Sequence, residues 1–267
     1  MSTFKRILWV TAILGLIAQS AQAALPKDKS IQGFGLGMGA DKVMELMVSA
    51  YPACEISKSY QPESGSNAMS GILAGYAVET GEIGNTVKRF GCNTTDMIDK
   101  LNLKLVNAES DMGQPVYEIS LLRFYGDPAI DSLMPIKYQF ESIRKSLFEQ
   151  YGNPSGQLRI KTSTNQPSVK VKGKKVAAPA NDYESYNITY VWGGKGLKAQ
   201  TLTYCMEHCG DYYLTANINI VKRKSLLPKN TFYVRSIALK LVDSVLEERQ
   251  FDWSYQRLNR HSSVDDN

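Results

Sequence analysis

"SIQGFGLGMGADKVMELMVSAYPACEI", residues 30–56, is the stretch on which the fold turns. Read one way it is a phosphate-binding loop. Gly35-x-Gly37-x-x-Ala40 satisfies the loose dinucleotide fingerprint, a helical pattern succeeds it, and Glu55 lies 20 residues beyond Gly35, where a ribose-binding acid belongs. Read the other way it is a strand that leads into a helix. With period two, Phe34, Leu36 and Met38 share one face, while Gly33, Gly35, Gly37 and Gly39 occupy the other and let a neighbour pack closely on the backbone. The helix then begins at Ala40.

The rest of the chain decides for the strand. A dinucleotide fold needs further βα units to build a parallel sheet. The chain instead continues with a helix at 40–51, strand-like runs at 54–60, 86–93, 101–107 and 116–125, a second helix at 133–151, and further runs at 157–162, 185–192, 198–205 and 211–221. "NITYVW" and "YYLTANINIV" carry the β-branched and aromatic residues that suit a pleated surface. A last helix is expected over 230–250, with Val234, Ile237, Ala238, Leu241 and Val245 as its stripe and Asn230 or Thr231 as its cap. The order predicts an α+β fold: antiparallel sheet or sheets, helices packed on one face, and a C-terminal helix. No cofactor is expected.

The two earlier helices end alike. "VMELMVSAYP" (43–52) and "IRKSLFEQYGNP" (143–154) align at an offset of 100, Val43 with Ile143, Met47 with Leu147, Tyr51 with Tyr151, and each is stopped by proline. Asp131 or Ser132 is expected to cap the second, with Pro135 in its first turn. The repeat suggests a tandem helix-plus-strands unit: a first half over 24–130, a second over 131–225, the C-terminal helix over 226–251 and a polar tail over 252–267. The stretch 61–85, rich in small residues and glycine, reads as a long insertion.

The N-terminus points to export. Lys5 and Arg6 precede an apolar run from Ile7 to Ile17 that is short for a membrane span, and Ala21-Gln22-Ala23 offers a peptidase site. A signal peptide over 1–23, with Ala24 as the mature N-terminus and a periplasmic or secreted destination, is the expectation. No later stretch approaches the roughly 18 apolar residues of a spanning helix. Removing Lys5 and Arg6 leaves 29 basic against 26 acidic side chains, a net charge of +3 that calls for no polyanionic partner. All four cysteines fall in the mature part, and an even count in an exported chain favours bridges. Proximity favours Cys54–Cys92 and Cys205–Cys209, worth about 4 and roughly 2 kcal/mol in the loop-entropy model.

At "IQGFGLGMGADKVMELM" the chain resembles a pattern of exported bacterial proteins, a strand ending in Leu-Gly-Met (here Leu36-Gly37-Met38) with an amphipathic helix directly after it, carrying Val43, Leu46 and Met47. It is found in the small lipoprotein of the outer-membrane barrel-assembly machinery and in β-lactamase inhibitory proteins. The resemblance implies helices laid over one face of an antiparallel sheet, sometimes in tandem, and a binding or scaffolding role without catalytic residues.

Two clusters could carry other chemistry. "YCMEHCGDYY" (204–213) holds Cys205, Met206, His208 and Cys209, soft ligands suited to Cu(I) or Zn(II), yet it has no second ligand pair at zinc spacing, so a disulfide across a turn is the favoured reading. The run 159–180 contains Arg159, Lys161, Lys170, Lys172, Lys174 and Lys175 and no acid. Without aromatic residues it offers nothing for stacking on bases, so nucleic acid is not expected, whereas an acidic protein face or an anionic lipid surface fits a basic contact loop. Hydrolase signatures are missing: there is no G-x-S-x-G and no HExxH. Dispersed Asp/Glu chemistry leaves no local signature, so a periplasmic hydrolase stands as the alternative to an exported binding protein whose partner is another envelope protein.

Overall fold

A computed structural model of the chain describes residues 26–62, 71–83, 88–90, 92, 97–107, 113–125, 138–162, 169–171, 174–176, 183–193, 211–223 and 231–262. A small hairpin, β1 (Ser30–Ile31) and β2 (Phe34–Gly35), leads into helix α1 (Ala40–Ala50). Then come β3 (Ile56–Pro62), β4 (Gly71–Glu79), β5 (Gly81–Ile83), β6 (Lys88–Phe90), β7 (Ile98–Leu105) and β8 (Val116–Phe124). Helix α2 (Phe140–Tyr151) precedes β9 (Gly156–Thr162), β10 (Val169–Val171), β11 (Lys174–Val176), β12 (Tyr183–Trp192), β13 (Tyr212–Arg223) and β14 (Tyr233–Asp243), and helix α3 (Ser244–Ser262) is the last described element.

Eight strands form one antiparallel sheet in the order β3-β4-β7-β8-β14-β13-β12-β9, and β1–β2, β5–β6 and β10–β11 form two-stranded pairs. Each half of the large sheet is a four-stranded meander preceded by a helix, and the halves meet where β8 pairs with β14. The residue before each helix bridges its own unit's final strand or that strand's threshold: Gly39 pairs with Pro115, beside β8, and Gln139 pairs with Tyr233 in β14.

Side chains alternate across the sheet. Leu101, Leu103, Ile119, Leu121, Ile237, Leu239 and Leu241 share the face on which Val43 and Met47 of α1 and Leu147 and Tyr151 of α2 pack into one core. The register shift at Lys104/Leu105 lets Val116 join Ile119 and Leu121 on that face. In the second half, aromatic packing adds to this: Trp192 lies against Tyr151 and Phe148, and its Nε1 donates to the Gly152 carbonyl at 2.8 Å. Helix α3 lies over the opposite face. Its N-terminus is capped by Asp243, whose Oδ1 accepts from Leu246 N at 3.0 Å.

Several expectations are corrected. Residues 30–39 are not one strand: Gln32 (φ 54°) and Gly33 (φ 85°) turn the chain between β1 and β2, and Gly37 (φ 77°) turns it again before α1, conformations that suit glycine. The supposed insertion 61–85 contains β4, a strand inside the sheet. Gly75 must lack a side chain there, because a Cβ would run into the Leu103 carbonyl oxygen. The second helix begins at Phe140, with Gln139 extended; Asp131, Ser132 and Pro135 lie outside the described residues. Residues 233–243 are the strand β14, and the C-terminal helix runs from Ser244 to Ser262 into the expected polar tail. Both periods fit this stretch, since Ile237, Leu239 and Leu241 also alternate, and the gap between β8 and β13 selects the strand.

The Cys54–Cys92 bridge is present, with Cα atoms 4.8 Å apart. It ties the exit of α1 to the segment after β6 across a sequence separation of 38. Cys205, Met206, His208 and Cys209, and the expected strand 198–205, lie outside the described residues. Replacing Cys54 by Ser should cost about 4 kcal/mol of stability. Urea unfolding under oxidising conditions checks it: the variant's midpoint falls well below the wild type's, and in reducing buffer the two converge.

Candidate functional site

The helical face carries a buried polar tie. Arg123 on β8 grips Asp99 on β7 with two hydrogen bonds, Nε to Oδ1 at 2.8 Å and Nη2 to Oδ2 at 2.7 Å. Those bonds hold the guanidinium above its ordinary pKa, against burial. Gln32, at the tip of the β1–β2 hairpin, donates to Asp99 Oδ2 at 3.0 Å and accepts from the Tyr51 hydroxyl at 2.7 Å. From the other half, Tyr151 donates to the Ser30 carbonyl at 3.0 Å. The two tyrosines matched in sequence thus end their helices on the same hairpin. Burial first, then the Asp99 charge, pushes Tyr51 up to about 12.

Beside this tie, under α2, is a cavity of about 470 Å³ walled by Ile31, Leu121, Tyr138, Leu147, Ile237 and Leu239. Its charged wall is Arg123, which Asp99 already engages through both carboxylate oxygens. Gln32, Tyr51 and Tyr151 are likewise spent on each other and on the hairpin. The arrangement serves cohesion.

The opposite face has a different character. Glu118 on β8 is nearly buried, and its Oε2 sits 3.0 Å from Lys104 Nζ and 3.2 Å from Lys240 Nζ. Burial alone would raise this carboxyl, but Lys240 and Lys104 bring it below the ordinary value. Glu247 on α3 faces the same group. Burial and the Glu118 charge hold it above the ordinary value, although Lys240 and Lys104 pull the other way. An adjoining cleft of about 600 Å³ runs between α3 and β3, β4 and β7, walled by Tyr60, Lys104, Asn107, Tyr117, Glu247 and Gln250. Helix α3 is moored across it by Gln250, whose Oε1 accepts from Asn107 N at 2.6 Å, and Asn107 Nδ2 donates in turn to Gln61 Oε1 on β3 at 2.7 Å.

Past α3, this face shows an uncharged band. Leu122, Ala238 and Asn217 lie side by side by register, and the next row runs Ser236, Asn219, Asn187 and Ile160. Leu122 is 36% and Ile160 53% exposed, so apolar side chains lie open there. Asn219 Nδ2 donates to Asn187 Oδ1 at 2.8 Å, which leaves the buried Asn219 Oδ1 without a partner. The band carries no charge, and its Asn and Ser groups can be covered at low cost only by a surface that hydrogen-bonds them.

Of the basic-loop residues, Lys161 is exposed on β9, Lys170 pairs by register with Lys175, and Lys174 is in β11; Lys172 lies outside the described residues. The Glu118, Lys104, Lys240 and Glu247 group was not visible in the sequence, because it joins three strands and a helix. Among the described residues no group of three or more His, Cys, Asp or Glu could hold a metal ion, and no helix is long and apolar enough to cross a membrane.

Tyr51 gives a pH prediction. Its folded pKa exceeds the unfolded value near 10, so the folded state holds the proton longer, and stability falls as pH rises from about 10 towards about 12. Tyr51→Phe should flatten this decline. Thermal unfolding from neutral to strongly alkaline pH checks it; parallel curves for the two proteins would refute it.

Comparison with known proteins yields no match at any level: no family model fits the chain, and neither a curated protein nor a solved structure matches it.

Proposed function

We propose that this chain is an exported envelope protein that works by binding another protein through an uncharged, partly open band on the outer face of its sheet. The observation that carries the reading is the neutral band on which Leu122, Ala238, Asn217 and Ile160 are exposed, although Thr189, opposite Asn217, is buried. The export pattern of residues 1–23 and the Cys54–Cys92 bridge support an oxidising compartment. The Leu36-Gly37-Met38 resemblance points the same way, towards a scaffold.

A photo-reactive amino acid placed at Asn217 in cells is the test. A discrete protein adduct is expected at Asn217, and none at Lys145, whose side chain is 77% exposed on the outer side of α2. Equal labelling at both positions, or adducts only with cytosolic proteins, would overturn the reading.

One observation favours a second reading, a periplasmic hydrolase. Glu118 and Glu247 are displaced in opposite directions beside a cleft, the pattern that separates a general base from a general acid. Two lysines clamp Glu118, which suits an ion cluster that moors α3 rather than a reacting group. Because Glu247 has a raised folded pKa, its ionisation weakens the fold as pH rises above the ordinary carboxyl value. Glu247→Gln should therefore unfold at a higher temperature than wild type at neutral pH and show no such gain in acid. A loss of cell-wall or glycan hydrolysis in the same variant would instead favour the enzyme.

A further inference from the structure

The sheet has two outer strands, β3 and β9, and they are finished differently. An open edge is a template for another strand, and proteins usually blunt it with proline, a bulge or a covering element. β3 has such devices: Pro62 removes a donor, the register shifts at Ser59/Tyr60, and Gln61 reaches Ser254 of the α3 helix beside it at 3.5 Å. β9 has neither proline nor bulge. Its register with β12 runs unbroken from Thr162 opposite Ser185 to Gly156 opposite Val191, and among the described residues no strand pairs with its outer side.

We propose that the outer edge of β9 receives an added strand from an acidic, extended segment of a partner protein. The inference rests on the binding reading and names that partner's chemistry. The side chains of β9 choose the occupant. On one face Arg159 and Lys161 are exposed, and neither has a carboxylate partner among the described residues. Aromatic rings hold them instead: Arg159 lies 4.2 Å from the Tyr186 ring centroid and 5.5 Å from that of Phe232, and Lys161 lies 5.9 Å from Tyr186. Lys222 adds a third cation over Phe232 at 5.5 Å. The nearby acid is Glu184, which accepts from the Tyr186 hydroxyl at 3.4 Å. On the other face Ile160 is open.

Charge extends this preference beyond the strand. Residues 159–180 contain six cations and no acid, and the β10–β11 pair sets Lys170 opposite Lys175. A second copy of the chain is a poor occupant, since an antiparallel β9–β9 pair would set Arg159 and Lys161 against their own counterparts, and like charges across strands repel. A segment alternating Glu or Asp with Val or Ile places its acids beside the cations and its apolar residues beside Ile160. Its backbone meanwhile completes the ladder, the mode by which sheet edges capture peptides.

The probe is a blocked heptapeptide of alternating Glu and Val, titrated against the oxidised full chain by fluorescence anisotropy, with a Lys-for-Glu version as control. Binding of the acidic peptide alone is expected, weakening as salt rises. Lys161→Glu should weaken it about fivefold, whereas Lys58→Glu on the opposite edge leaves it unchanged. Slowed amide exchange in β9 on peptide binding locates the strand independently of either variant. No binding, protection at β3 in place of β9, or displacement of the peptide by a single-stranded oligonucleotide or by anionic phospholipid vesicles as effectively as by unlabelled peptide would overturn the inference. Adducts at Asn217 in a protein whose β9 ignores the peptide would remove this inference and leave the open-face reading standing. Peptide capture at β9 without adducts at Asn217 would do the reverse.

Discussion

The pairing of β8 with β14 is the constraint on which everything else depends. Ile119 opposite Leu241, and Leu121 opposite Leu239, bring two four-stranded meanders edge to edge and turn two marginal units into one sheet. Either meander alone would present a central apolar strand as a naked edge, which is an aggregation hazard. Joined, each covers the other's most hydrophobic strand. Fully burying such side chains contributes on the order of 1.5–3 kcal/mol each, so this seam outweighs any single surface contact in the molecule.

The seam also explains the hairpin at the N-terminus. Two helices over two half-sheets leave a gap above β8 and β14, and β1–β2 lies in it, with Ile31 and Phe34 fully buried. Tyr51 holds Gln32 from one side and Tyr151 holds Ser30 from the other. The Asp99–Arg123 pair then meets the hairpin's polar demand at that depth, through Gln32. A salt bridge in such a place adds little net stability, because desolvation offsets much of its attraction. Its role fits that balance: it fixes where the hairpin sits between the halves.

The sequence foretold the features whose signals are local. The apolar stripe and the prolines marked α1 and the end of α2, and β-branched, aromatic runs marked β12 and β13. The matching Val43/Ile143, Met47/Leu147 and Tyr51/Tyr151 pairs anticipated the repeated unit. What escaped was long-range. β4 looked like a loop because Gly71, Ala74, Gly75 and Ala77 have low strand propensity, yet Gly75 is what the close approach of Leu103 requires. β14 satisfied the helical period and the strand period together, and only the gap between β8 and β13 separates them. Lys104, Glu118 and Lys240 are scattered along the chain, and register alone brings them together.

A framework this regular makes its irregularities informative. The two halves share helix placement, strand order and the bridge before each helix, so physics common to both cannot account for their differences. Helix α3 lies on the outer face across the seam, against β8, β14 and β13, where Lys104, Glu118, Lys240 and Glu247 moor it, and on the first half the edge strand β3 is blunted by proline and a bulge. The second half keeps the neutral band on its face and the cationic, unbroken strand at its edge. Stability does not require that asymmetry, since a proline and a bulge would serve β9 as they serve β3. Among the described residues, a strand edge without proline or bulge, with Ile160 exposed on it, carries a cost in solubility that the proline and bulge of β3 avoid.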